Sequence, residues 1–93
     1  MPDYAAQYAQ TEQQLKELLR AIIHTLNGAE LGEVSEFLTA REYGLALETI
    51  ARLLMDRHGL ILPDIVKRVD RLAGSMHLTD ADFVREFHIH AGR

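Results

Sequence analysis

Residues 42–54 read Glu42-Tyr43-Gly44-Leu45-Ala46-Leu47-Glu48-Thr49-Ile50-Ala51-Arg52-Leu53-Leu54. Tyr43, Leu47, Ile50 and Leu54 recur at the spacing that lines one side of an α-helix, with Ala46 and Leu53 flanking them. The segment predicts a core-facing helix over about Glu42 to Arg57, with His58-Gly59 as its stop. Leu45 does not fit. At roughly 100° per residue it points about 160° from the centre of the stripe, beside Glu48 and Arg52. It reads either as a contact to a further helix or as an apolar anchor within a binding surface.

Upstream, Tyr4, Tyr8, Leu15, Leu19, Ile22 and Leu26 form a second stripe, widened by Leu18 and Ile23. Residues 1–10 are expected to fray at the start of that helix. Asn27-Gly28 is expected to end it, because both residues tolerate the left-handed conformation. A shorter helix over about Leu31 to Leu38 turns Leu31, Val34, Phe37 and Leu38 inward and Glu33 and Glu36 outward, and Thr39-Ala40-Arg41 makes a tight connection. Downstream, Pro63 suits the first position of a helix carrying Ile65, Val69, Leu72 and Met76. Thr79 is expected to cap a last helix, with Asp82 three residues on in a loose capping-box pattern; Phe83, Val84 and Phe87 form its apolar side. Residues 88–93 are left as a tail. No segment shows sustained strand alternation. The fold class is therefore all-α: one compact antiparallel bundle of four to five helices in a single domain over residues 1–93.

Ninety-three residues, 47% of them apolar, fill one core without staples. The absence of cysteine excludes disulfides, zinc–thiolate sites and thiol chemistry. The N-terminus lacks the basic-then-apolar pattern of a secretory signal, and no stretch approaches the roughly 20 apolar residues of a membrane span. The expected location is the cytoplasm, without membrane association. The formal net charge is −4. It is concentrated between Glu30 and Glu48, where five acids (Glu30, Glu33, Glu36, Glu42, Glu48) face one base, Arg41. Such a block repels nucleic acid and favours a basic protein partner. Its plainer reading is a solvated helix face.

No catalytic constellation emerges. Ser35, Ser75 and Thr79 stand in no nucleophile motif, and Glu33 and Glu36 face outward, where nothing raises a carboxylate pKa. His88 and His90 lack a familiar zinc spacing, while His24 and His58 suit helix C-terminal ends. The expectation is neither an enzyme nor a holder of a metal or cofactor. A helix-turn-helix DNA binder is the serious rival among small helical proteins. Lys67, Arg68 and Arg71 form a small basic side, but the acidic total opposes it.

The run Glu33-Val34-Ser35-Glu36-Phe37-Leu38, followed by Arg41 and the string Glu42-Tyr43-Gly44-Leu45-Ala46-Leu47-Glu48, resembles the MafI family of bacterial immunity proteins. These are small helical proteins made beside polymorphic secreted toxins, including those of contact-dependent inhibition systems. The likeness continues through Pro63, Leu72, Met76 and Leu78 and covers roughly Leu15 to Leu78. The longer N-terminal segment, Gly32 and the histidine-rich end depart from it.

The resemblance implies a protein that binds and neutralises one cognate toxin domain, a basic nuclease, as a heterodimer. The acidic helical surface would cover the toxin's active-site region. Glu30, Glu33, Glu36, Glu42, Leu45 and Glu48 are the candidate contact residues. Tyr43 also lies on the core stripe, Gly44 allows close helix approach, and Glu42 suits the first turn of its helix. The alternative is a helical adaptor or self-associating module with no toxin partner, with Leu45 in a homodimer contact.

Overall fold

Tyr43, Ala46, Leu47, Ile50, Ala51 and Leu54 are all buried along one helix, and around it the chain assembles. The computed structural model describes residues 4–57 and 60–92, with side chains described from residue 7 onward. Among the described residues five α-helices follow one another: α1 (Tyr4–Ile22), α2 (Gly28–Thr39), α3 (Tyr43–Asp56), α4 (Pro63–Ser75) and α5 (Asp82–Ala91). No strand occurs among the described residues. The fold is an all-α bundle in which α3 packs against each of the other four helices.

The core is one cluster. Leu15, Leu18, Leu19 and Ile22 come from α1, Val34 and Leu38 from α2, Ile65, Val69, Leu72 and Ala73 from α4, and Phe83, Val84 and Phe87 from α5. Phe87 and Leu47 are fully enclosed. The period-based stripes therefore locate the interior on every helix. They miss Ala51 and Thr11, both buried, and they overreach at Tyr8 and Ile23, which are exposed. The side chain of Tyr4 and the expected stop at His58-Gly59 lie outside the described residues.

Helix boundaries differ from expectation at several ends. Asn27-Gly28 does not close α1. That helix ends at Ile22 and runs into a 3₁₀ turn over Ile23–Thr25, where the Thr25 hydroxyl donates to the Ile22 carbonyl at 2.8 Å. Asn27 instead opens α2, with extended backbone (φ −86°, ψ 173°). Its Oδ1 accepts from the Glu30 N–H at 2.8 Å, and Glu30 Oε1 accepts from the Asn27 N–H at 3.0 Å. This is a complete capping box, and it satisfies donors that a helix start leaves unpaired.

Thr79 does not cap α5. The Ala81 N–H donates to the Leu78 carbonyl at 2.9 Å, which closes a turn containing Thr79 and makes Ala81 the N-cap residue. Nor are residues 88–91 a tail: α5 continues to Ala91. Phe87 anchors that last stretch in the core, and His88 contacts Asp70 of α4. The start of the chain is likewise helical from Tyr4.

Candidate partner-binding surface

Val34 and Leu38 bury the inner side of α2, and that fixes where its acids stand. Glu33 and Glu36, one and two residues before them, are exposed. They lie three apart, so their carboxylates are neighbours on the outer face. Glu42, at the N-cap of α3, is exposed and makes no side-chain cap bond. None of these three carboxylates forms an ion pair with a described residue.

Glu30 is different. Besides its place in the capping box, it pairs with the Arg57 guanidinium, and its side chain is only 18% exposed. Arg57 also donates through Nε and an Nη to the Thr25 carbonyl, at 3.2 and 3.0 Å. One guanidinium thus ties the end of α3 to the α1–α2 junction. The Asn27 N–H, and secondarily Arg57, hold the Glu30 carboxyl below the usual glutamate range. Its charge is committed within the fold.

Glu48 is half-buried and engaged as well. Its Oε2 accepts from Arg52 at 3.0–3.1 Å, and Arg52 reaches on to Glu86 of α5 at 3.2 Å. The bond to Glu48, more than any other contact, raises the Arg52 pKa further. Of five candidate acids, then, three stand free among the described residues and two are matched by arginines. The charge count along the sequence overstates the surface charge for this reason.

Leu45 is 46% exposed. It is neither covered by another helix nor fully open, but sits on the wall of a shallow groove between α3 and the start of α5, with Glu48, Arg52, Leu78 and Phe83. Tyr43 is buried, as the stripe requires. A β-carbon at Gly44 would stand 3.6 Å from Leu78 Cδ1, an ordinary contact, so the approach there is not close enough to demand glycine. The arrangement is a groove of mixed apolar and charged lining, crossed by an ion-pair chain from α3 to α5, with carboxylates unpaired among the described residues on α2 and at the start of α3.

Among the described residues no group of three or more histidines and carboxylates is gathered as for a metal ion. No helix among the described residues is long and apolar enough to cross a membrane. The basic residues proposed as a DNA-facing side are partly spent: Arg68 donates to Asp64 at 2.9 Å. Compared with protein-family models, with curated proteins and with solved structures, the chain finds no match.

Proposed function

We propose that this protein works by binding and is the immunity partner of a secreted toxin domain, a nuclease with a basic substrate cleft, which it neutralises in the cytoplasm of the producing cell. The observation that carries this reading is the set of exposed carboxylates Glu33, Glu36 and Glu42, unpaired among the described residues, together with the half-exposed Leu45. The likeness of residues 33–48 to the MafI immunity proteins supplies the biological setting.

The physics supports the assignment of roles. Free carboxylates on a rigid helix speed encounter with a basic surface and occupy the place where substrate phosphates would bind. Leu45 serves as an apolar contact, since desolvated apolar anchors supply much of the affinity at such interfaces. Glu48 and Arg52 border it as a fixed polar rim, while Glu30 holds the α2 start in place and acts on the partner only through that positioning.

The test is co-purification with the toxin domain encoded beside this reading frame, followed by titration of its nuclease activity. One equivalent of this protein should abolish activity. A toxin domain that does not bind, or that stays fully active when bound, excludes the proposal. The adaptor reading makes a different prediction, self-association through Leu45. Sedimentation at high concentration separates the two: a monomer agrees with the immunity role, and a dimer dispersed by Leu45→Arg favours the adaptor.

A further inference from the structure

Among the described residues two other than glycine adopt a positive φ: Arg41 and His77, each at 59°. Both occupy the same position in the same device. After α2, Arg41 N–H donates to Leu38 O (3.1 Å) and Glu42 N–H to Phe37 O (2.9 Å). After α4, His77 N–H donates to Gly74 O (3.2 Å) and Leu78 N–H to Ala73 O (2.8 Å). This is the Schellman closure, and the left-handed position within it is the one glycine fills without steric cost. At both corners the chain places a base there instead.

The two corners line one groove of about 480 Å³ at the end of the bundle. Tyr8, Thr11, Tyr43 and Leu78 contribute to its walls alongside Arg41 and His77. The Tyr8 and Tyr43 rings stand 6.2 Å apart, tilted by 47°. Among the described residues no carboxylate lines the groove. Arg41 forms no ion pair with a described residue, and the His77 ring bonds to none. A groove whose described lining holds two bases and no acid, with both bases in a conformation that favours glycine, suits a negative ligand.

We propose that this groove binds a carboxylate side chain from an extended segment of a partner protein, with the residue beside that side chain resting on the aromatic wall. The Arg41 guanidinium presents a fork matched to a carboxylate, and His77 supplies a ring N–H donor in either charge state. Tyr8, Tyr43 and Leu78 offer the apolar floor. A polyanion such as RNA fits less well, because the unpaired acids elsewhere on the surface repel a chain of phosphates. The groove stands on its own geometry, and its failure would leave the role of the acidic surface unaffected.

The test uses amide chemical shifts of the full chain, titrated with acetyl-Glu-Phe-amide, acetyl-Gln-Phe-amide and sodium acetate at matched ionic strength. The glutamyl peptide should give saturating shifts at residues 41, 44, 77 and 78, and the other two should not. Arg41→Gly should bind it roughly tenfold more weakly, the loss of one charged hydrogen-bonding partner. The same variant should melt a few degrees higher, because glycine relieves the left-handed position, so weaker binding cannot be ascribed to misfolding. Equal binding of the glutaminyl peptide, acetate reproducing the shifts at equal affinity, or undiminished binding by Arg41→Gly would each overturn the proposal. A lower melting temperature for Arg41→Gly would do the same by removing the strain argument.

Discussion

Glu30 is held by one partner near in sequence, Asn27, and one distant in sequence, Arg57. Glu30 accepts from Asn27 and pairs with Arg57, and both bonds favour its ionised form. A carboxyl whose folded pKa is lowered contributes stability above its unfolded pKa, about 4.3, and loses it as pH falls through the folded value. Glu30→Gln should therefore be less stable than the parent at pH 7, with the gap closing once the pH is below both values. Urea melts at pH 7 and pH 2.5 check this, and an equal gap at both would mean that the carboxylate's charge is not what stabilises. Asn27→Ala removes the other half of the capping box and should cost about 1 kcal/mol at either pH. The spacing Asn27-x-x-Glu30 is itself a capping signature, so the true start of α2 was present in the sequence. Reading Asn27-Gly28 for its left-handed tolerance hid that signature. Arg57 was not legible: no spacing rule connects residues 27 apart, and only the fold brings it to Glu30.

At the scale of the helix, periodicity was a reliable guide because burial on one side is what makes each helix stable here. The ends were less legible, since several polar residues near each end compete to cap it. Thr79 is a good cap by type, yet the turn closed by Ala81 N–H and Leu78 O starts α5 later. α3 offers the sharpest test of sidedness. Leu47 is fully buried and Leu45, two residues earlier, is half-exposed. Leu47→Ala should cost about 2–5 kcal/mol of unfolding free energy, as buried leucine truncations do. Leu45→Ala should stay within about 1 kcal/mol in the same denaturant melt, because its side chain is only half covered. If Leu45→Ala were as damaging as Leu47→Ala, Leu45 would belong to the core and could not serve as a partner anchor.

Over the whole molecule, the net charge of −4 is unevenly exposed. The sequence identified the acid-rich segment but not which of its members were free, since pairing with Arg52 and Arg57 depends on tertiary contacts. Three carboxylates of that segment remain for long-range attraction, while the described lining of the groove beside Arg41 and His77 holds no acid. Attraction between separated charges is screened over about 8–10 Å at ordinary ionic strength, whereas close packing is not. Steering should therefore show in the association rate and its salt dependence, with dissociation set by packed contacts such as Leu45. The most direct measurement is the association rate with the toxin domain from low to high salt, for the parent and for a Glu33→Gln, Glu36→Gln, Glu42→Gln triple variant. The account predicts a rate that falls steeply with salt in the parent and weakly in the variant, with little change in dissociation. Identical salt slopes for the two proteins would contradict it.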